Sequence, residues 1–381
     1  MLPVTCHSSP SRILITGICG FVGSTLAMEL RKAWPELKIH GIDNLIRKGS
    51  AGNVERLRAA GCEVRVGDVR NPQDLEKMPA VDWVLDCAAN PSVLAGLDGK
   101  SSSFEVMDHN LIGTIRLLEY CKSHRAGFLL LSTSRVYSIA ALSAIPVEER
   151  NGAFVPRMEV SSGRLQVKAR CLSPVTCHMS HVTVEGITED FSTAPPLSFY
   201  GVSKLCSESL ALEYGETFGF PVWINRCGVL AGAGQFGRAD QGIFAYWINS
   251  WLRKRPLKYI GFGGEGFQVR DCLHPKDLAP LLIRQMREPD RKVCPIQHLA
   301  GGSANSMSLR QLSDWCAKRF GPHQVASDPK PRPFDLPWMV LDSSRAGRQW
   351  GWEPQTAIHD ILEEIALHAE AHPDWLEVSG A

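Results

Sequence analysis

The chain has 381 residues, of which 44% are hydrophobic and 21% charged, as in a folded globular protein rather than a disordered one. Its 41 basic and 40 acidic residues give a formal net charge of +1, so no overall field would attract nucleic acid or an anionic membrane. No apolar run reaches the roughly 18–20 residues of a membrane span, so the sequence predicts no transmembrane helix.

The 12 cysteines are scattered, with no paired spacing typical of a zinc site. The first residues lack the basic and then apolar pattern of a signal sequence. We therefore expect a cytoplasmic protein with reduced thiols and no bound metal. The length predicts one large domain or two closely associated ones.

Short apolar runs alternate with helical periodicity through the first half of the chain. Residues 1–11 are predicted to be a flexible tail, and residues 12–16 a strand that ends at Gly17. Further strands are predicted at residues 38–42, 63–66, 81–87, 128–131 and 221–225, and helices at 21–30, 51–60, 110–120 and 200–218. Repeated strand and helix pairs predict an α/β protein with a doubly wound parallel sheet, a Rossmann fold, over residues 12–225.

An excursion at about residues 139–196 interrupts this alternation, and we interpret it as an insertion. It could cover a substrate cleft, dock a partner or be inert. Residues 226–381 begin with a glycine-rich stretch and continue with further helices, which predicts a smaller mixed α/β lobe that binds substrate. We expect residues 269–274 to return to the parallel sheet of the first domain.

A glycine-rich turn links the first strand to the first helix. Gly17, Gly20 and Gly23 would let the backbone approach a pyrophosphate at the start of the helix. A simple tight turn is the alternative, because such a pattern alone is weak evidence. The residues of this turn predicted to bind a dinucleotide are Gly17, Cys19, Gly20, Phe21, Val22 and Gly23.

Asp43 lies 20 residues after Gly23, at the end of the second predicted strand. There a carboxylate can accept hydrogen bonds from the adenosine ribose and would repel a 2′-phosphate, which favours NAD over NADP. Asn44, next to it, is assigned to the same site. Arg47 and Lys48 could soften this preference, but we expect them to be a solvated surface pair.

A tyrosine and a lysine four residues apart open the helix predicted at residues 200–218. Tyr200 and Lys204 would lie on one helix face, so the ammonium could favour the phenolate and let Tyr200 act as a base. Thr133, at the end of an earlier strand, would hold the substrate oxygen. The Tyr-x-x-x-Lys spacing occurs by chance in many helices, so its position after the dinucleotide turn carries this prediction.

These motifs resemble those of the extended short-chain dehydrogenase/reductases, the NAD-dependent epimerase/dehydratase family that acts on nucleotide-linked sugars. The resemblance covers most of the chain. It is most similar to the CDP-paratose (CDP-tyvelose) 2-epimerases in four segments, which are residues 42–49, 132–137, 240–242 and 268–271. The resemblance implies NAD as cofactor, a nucleoside-diphosphate sugar as substrate, with a CDP-linked one favoured, and a homodimer formed through residues 110–122 and 203–218.

The resemblance also implies further site residues. Asp68 and Val69 would flank the adenine, Ala88 and Ala89 would line the cofactor cleft, and Asn110 would support the active-site helix. Tyr200 and Lys204 would contact the cofactor as well as the substrate. The residues expected to bind substrate are Asn90, Thr133, Arg135, Gln241, Arg270 and Arg332.

Several positions depart from the family pattern. Ser134 and Arg135 replace the Asp-Glu pair that serves water elimination in the dehydratases, so dehydration is disfavoured. Val229 replaces an asparagine that helps bind the diphosphate, and Ser138 replaces a glycine. The change at Val229 bears on the phosphate contacts at that position.

Three further assignments have structural alternatives. Arg270 is the candidate for the substrate diphosphate, with an ion pair to Asp271 as the alternative. Arg332 and Gln241 are weaker candidates, because polar loop residues are usually solvated. Cys87 and Cys227 are expected to be small buried residues without a chemical role.

The expected activity is epimerisation in carbohydrate biosynthesis, through transient oxidation of a carbinol carbon to a ketone and return of hydride to its opposite face. An NAD-dependent dehydrogenase or reductase of the same substrates is one alternative. A non-catalytic, NAD-bound regulatory or scaffold protein is another.

Overall fold

The structure is a computed structural model that describes residues 10–97, 99, 101–161, 164–167 and 179–381. Over these residues the strands are β1 (Arg12–Thr16), β2 (Lys38–Asp43), β3 (Glu63–Val66), β4 (Trp83–Asp86), β5 (Gly127–Thr133), β6 (Val147–Arg150), β7 (Ala153–Pro156), β8 (Met158–Ser161), β9 (Arg164–Val167), β10 (Val222–Cys227), β11 (Val229–Leu230), β12 (Leu257–Ile260), β13 (Val269–Leu273), β14 (Ile296–Leu299), β15 (Ser306–Ser308), β16 (Val325–Asp328) and β17 (Trp338–Met339).

The helices surround these strands. They are α1 (Phe21–Ala33), α2 (Asn53–Ala59), α3 (Pro72–Glu76), α4 (Ser103–Met107), α5 (Gly113–His124), α6 (Ile139–Ser143), α7 (Phe199–Phe218), α8 (Ile243–Leu252), α9 (Ala279–Arg287), α10 (Leu309–Phe320), α11 (Ser344–Trp350), α12 (Ile358–Ala371) and α13 (Trp375–Ser379). A π-helical turn, Asp108–Ile112, joins α4 to α5. Among the described residues, no helix is both long and apolar enough to cross a membrane.

A seven-stranded sheet forms the centre of the molecule, in the order β14-β10-β5-β4-β1-β2-β3. Every neighbouring pair in it is parallel. Side chains alternate between its faces, so Ile13 and Ile15 pack in one core and Leu14 in another. Helices α1, α2, α9 and α11 cover the first face, and α3, α5 and α7 cover the second. This arrangement confirms the predicted doubly wound Rossmann fold.

The strand that completes the sheet is not the one expected. Residues 269–274 were expected to return to the parallel sheet, but β13 pairs with β11, β15 and β17 in a separate mixed sheet. Asp271 holds it there, since its buried carboxylate accepts the backbone amides of Val229 and Leu341. The free edge of β10 is taken by β14 instead. Residues beyond 226 therefore contribute to the central sheet as well as to the second lobe.

The second lobe has a core of its own, formed by α8, α10 and α12. Its strands are the mixed sheet around β13 and the parallel pair β12–β16. The lobe is therefore mixed α/β, as predicted.

The excursion at residues 139–196 contains α6 and the hairpins β6–β7 and β8–β9, while residues 162–163 and 168–178 lie outside the described residues. The first hairpin docks on the second lobe, where the Phe154 amide donates to the Phe267 carbonyl at 2.9 Å. Val182 and Ile187 pack in a core with Trp338 and Leu341. None of the described residues of the excursion lines the two cavities, of about 460 and 390 Å³, that form the candidate site described below.

Candidate active site

A cavity of about 460 Å³ opens at the carboxyl ends of the central strands, beside the glycine turn. Parallel α/β sheets bind ligands at this edge. Of the residues predicted for the site, the cavity is lined by Gly17, Gly20, Phe21, Val22, Gly23, Asp43, Asn44, Asp68, Val69, Ala88, Ala89, Asn90, Thr133, Arg135, Tyr200 and Gln241.

The glycine turn has a shape that side chains would block. Gly17 adopts a left-handed φ of +61°, and a Cβ there would meet the backbone of Ala88 at 3.0 Å. A Cβ on Gly23 would come within 2.3 Å of the Gly17 carbonyl oxygen. Gly20 begins α1 without a side-chain cap, which leaves the helix N-terminus open to an anion. The turn therefore fits the pyrophosphate of a dinucleotide.

Asp43 lies at the end of β2, on the cavity wall. Its carboxylate accepts the backbone amides of Cys19 at 2.9 Å and Leu45 at 2.8 Å. Burial raises the pKa of Asp43, which these amides oppose. A carboxylate has about four acceptor sites, so Asp43 can also accept from a ribose. Cys19 itself is fully buried and does not line the cavity. It contributes to the site through its backbone amide, which orients the Asp43 carboxylate.

Asp68 and Val69 extend the same wall past the end of β3. The Asp68 carboxylate pairs with Arg70 at 2.7 Å, and Arg70 also pairs with Asp108 at 2.6 Å. Hydrogen bonds from Arg70 hold the pKa of Asp68 well below its usual range. Asp68 is therefore ionised and fixed in orientation before any ligand binds.

Tyr200 and Thr133 meet at the other end of the cavity. Helix α7 begins just before Tyr200, because the Ser198 hydroxyl caps it by accepting the Gly201 amide at 3.1 Å. The Tyr200 side chain lines the cavity together with Thr133, at the end of β5. Burial raises the pKa of Tyr200, while the Thr133 hydroxyl and the charge of Arg135 lower it.

Lys204 lies one turn further along α7 and is only 2% exposed. Its charge acts on the thiols of Cys87 and Cys227, and the cation that acts on Tyr200 is Arg135. Both cysteines line the cavity, but burial raises the pKa of Cys87 and brings that of Cys227 to about 12. The two thiols are therefore protonated and not nucleophilic at neutral pH.

Asn110 supports the active-site helix from outside the cavity. It lies in the π-helical turn, a local irregularity often found at functional sites. Its side-chain amide donates to the Ser203 hydroxyl at 2.9 Å and to the Asn90 carbonyl at 3.1 Å. It therefore ties α7, next to Lys204, to the loop after β4.

A second cavity, of about 390 Å³, adjoins the first and lies in the second lobe. Arg135 lines both cavities and donates to the Phe334 carbonyl at 3.1 Å. Arg270 and Arg332 also line the second cavity. Burial and the charge of Arg270 lower the pKa of Arg135 to about 10, which leaves it cationic at neutral pH.

The ion pair of Arg270 with Asp271, expected as the alternative to a role in binding the diphosphate, was wrong in its partner. Arg270 pairs with Asp335 at 2.8 Å rather than with Asp271, whose carboxylate is occupied by backbone amides. Burial raises the pKa of Asp271 to about 6. Arg270 therefore reaches the second cavity with one carboxylate already beside it.

Two charged contacts near the cavity were not expected from sequence. Arg226 is buried and pairs with Glu208 at 2.7 Å, one turn of α7 beyond Lys204. Arg47, expected to be a solvated surface residue, lines the first cavity and donates to Gln241 at 2.9 Å. The spacing of Tyr200, Lys204 and Glu208 by four residues puts Glu208 on the same face of α7, but no local signal identifies Arg226 as its partner or Gln241 as the partner of Arg47.

The fold and this cavity define a short-chain dehydrogenase/reductase, because the cavity is lined by the dinucleotide turn and by Thr133 and Tyr200, with the buried Lys204 one turn further along α7. The sequence matches the NAD dependent epimerase/dehydratase family over residues 13–159 and 161–300, and the chain belongs to that family. The predicted family and its cofactor, NAD, are thereby confirmed.

Similar proteins are sugar-nucleotide enzymes. The CDP-paratose 2-epimerase of Salmonella typhi is 25% identical over 93% of this chain and 98% of its own. The UDP-glucose 4-epimerase of Thermotoga maritima, solved with UDP-glucose, superposes with a TM-score of 0.71 at 20% identity over 95% of this chain and 99% of its own. The UDP-glucuronic acid 4-epimerase of Bacillus cereus, solved with UDP-glucuronic acid and NAD, superposes with a TM-score of 0.71 at 24% identity. The match covers 94% of this chain and 99% of that one.

Proposed function

We propose that this chain is an epimerase of a nucleoside-diphosphate sugar, with a CDP-linked sugar favoured. The observation that carries the proposal is that Tyr200 and Thr133 line the same cavity as the glycine turn and Asp43. Tyr200 would then act as a proton acceptor, and Thr133 would donate a hydrogen bond to the substrate oxygen, both beside the bound cofactor. The similarity to CDP-paratose 2-epimerase supports the choice of nucleotide.

The chemistry divides between the cofactor and these side chains. When bound, NAD supplies a reversible hydride acceptor. Tyr200 takes the proton of the substrate hydroxyl at its phenolic oxygen and later returns it, while the Thr133 hydroxyl holds the same substrate oxygen. Arg135 is the cation that favours the phenolate. The keto sugar must then rotate to present its opposite face before hydride returns. This rotation requires free space in the active site beside the reacting carbon.

The second cavity suits the nucleotide and its diphosphate. Arg135, Arg270 and Arg332 are close enough for their charges to interact. Lys258 and the carboxylates of Asp240 and Asp335 also line this cavity. Four cationic and two anionic side chains leave two positive charges, which a diphosphate would balance. We assign this role to the arginines, with Asn90 and Gln241 at the edge of the first cavity.

We further propose a cytoplasmic homodimer that acts in carbohydrate biosynthesis. Residues 110–122 and 203–218 would form the dimer contact, and both carry exposed apolar side chains, with Ile112 39% and Phe218 44% exposed. Sedimentation would test this assembly independently of activity.

The activity is tested by incubating the purified protein with UDP-glucose, UDP-glucuronate and CDP-paratose separately. We expect at least one to yield an isomeric sugar nucleotide while absorbance at the wavelength of NADH stays constant. NADH that accumulates in step with product would instead identify a dehydrogenase. Bound NAD with no conversion of any of the three would favour a regulatory protein.

A further inference from the structure

A loop at residues 232–242 forms one wall of the NAD-binding cavity. Gln235, Phe236 and Gln241 line the cavity opposite the glycine turn and Asp43. At its start the loop packs on that turn, since a Cβ on Gly232 would lie 3.2 Å from the ring of Phe21. A dinucleotide in this cavity would therefore lie between the Rossmann sheet and this loop.

The C-terminal helix α13 anchors the far side of the loop. The indole nitrogen of Trp375 donates to the Gln235 carbonyl at 2.8 Å, and the Trp375 ring stacks on Phe236 with centroids 5.4 Å apart. Arg238 donates to the Ser379 carbonyl at 2.9 Å. These contacts fix the loop to the second lobe, so they do not by themselves close it over the cofactor.

Arg47 joins the loop to the Rossmann side. Its guanidinium donates to the Gln241 side chain at 2.9 Å and to the Phe236 carbonyl. Burial lowers the pKa of Arg47 to about 10, so it is cationic at neutral pH. Two residues later, Gly49 has a φ of +93°, and a Cβ there would lie 2.6 Å from the Phe236 ring. The two segments are therefore packed closely as well as hydrogen-bonded.

We propose that Arg47 latches the loop at residues 232–242 over the NAD-binding cavity and thereby slows release of the cofactor. An enzyme that returns hydride to the same NAD gains from keeping it between turnovers. This proposal depends on NAD binding and on the contacts of Arg47. It does not depend on which sugar is the substrate. It also gives a role to Arg47, which has none in the proposed redox chemistry or substrate contacts.

The test measures NAD release without any sugar. Protein loaded with NAD is mixed with a large excess of deuterium-labelled NAD, and the unlabelled NAD that remains on the desalted protein is followed by mass spectrometry. We expect Arg47→Ala to release NAD at least about tenfold faster, because it loses two charge-assisted hydrogen bonds. Arg47→Lys should be intermediate, since an ammonium cannot serve both acceptors in the same geometry.

The control is Lys48→Ala, because Lys48 is the adjacent, exposed cation and it should release NAD at the wild-type rate. Gln241→Leu separates a latch from direct contact between Arg47 and NAD, because it removes one latch acceptor and leaves the guanidinium in place. Faster release from Gln241→Leu is expected. A wild-type release rate for Gln241→Leu, or for a folded Arg47→Ala, would overturn the proposal even if epimerase activity were established.

Discussion

The two cavities are built in different ways. The cofactor cavity is shaped mainly by backbone, with Gly17 and Gly23 placed where any Cβ would collide with neighbouring main-chain atoms. The second cavity, which we propose binds the substrate, is lined by the side chains of Arg135, Arg270 and Arg332, which come from distant parts of the chain. The first should therefore be sensitive to added volume, and the second to lost charge. The two cavities meet at Arg135, whose charge acts on Tyr200 in the wall of the first.

The largest effect is expected at Tyr200. Tyr200→Phe removes the proton acceptor but keeps the ring, so turnover should fall by about 10³-fold, within the range typical of general base catalysis. The melting temperature and the bound NAD should remain close to those of the wild type. Steady-state kinetics and NAD quantitation provide the measurements, and a variant with wild-type turnover would remove Tyr200 from the mechanism.

The next largest effect tests the backbone-shaped cavity. Gly23→Ala would place a Cβ 2.3 Å from the Gly17 carbonyl oxygen, so the turn must shift. We expect NAD affinity to fall by about 5- to 150-fold, as for about 1–3 kcal/mol of overpacking. Gly52→Ala is the matched control, because nothing lies within 4 Å of a Cβ there. Equal NAD binding by Gly23→Ala and wild type, measured by calorimetry, would contradict this view of the cavity.

A smaller effect distinguishes two arginines of the second cavity. Arg135→Gln should weaken binding of CDP or UDP by about tenfold and leave folding stability nearly unchanged, since Arg135 donates to a carbonyl rather than a carboxylate. Arg270→Gln should also lower the free energy of unfolding by about 3 kcal/mol, because it leaves Asp335 without its partner. Calorimetry and urea unfolding separate these outcomes, and equal stability losses would argue against the distinction.

The smallest effect is expected away from both substrate and redox centres, at His368 on α12. Burial and the neighbouring His372 lower the pKa of His368 to about 4, and Glu364 partly opposes them. The unfolded chain therefore binds this proton more readily, so stability falls as pH drops from about 6.5 towards 4. His368→Gln should reduce that slope in urea unfolding at several pH values, and an unchanged slope would show that another group dominates.

Local pattern explains what the sequence could predict. The apolar run of Ile13, Leu14 and Ile15 and the glycines that follow encode a strand, a turn and a helix within a short segment. Tyr200 and Lys204 share one helix, so their relation is also local. The Rossmann fold and the cofactor end of the site were therefore predictable.

Contacts between distant segments explain what it could not predict. Arg47 meets Gln241 across 194 residues, and only the folded loop shows that it is not a solvated cation. The apolar and polar residues of β13 and β14 do not reveal which strand takes the edge of β10. The buried carboxylate of Asp271 ties β13 to Val229 and Leu341 through two backbone amides, which sequence periodicity does not identify.

Transient oxidation is tested most directly by following the inverted carbon in heavy water. The NAD-loaded protein is incubated in D₂O with whichever of CDP-paratose, UDP-glucose and UDP-glucuronate it converts, and the products are followed by proton NMR. If hydride leaves and returns on the same NAD, the epimer will carry protium at the inverted carbon and no NADH will accumulate. Deuterium at that carbon would contradict this account, because it would show proton exchange with solvent instead of hydride return.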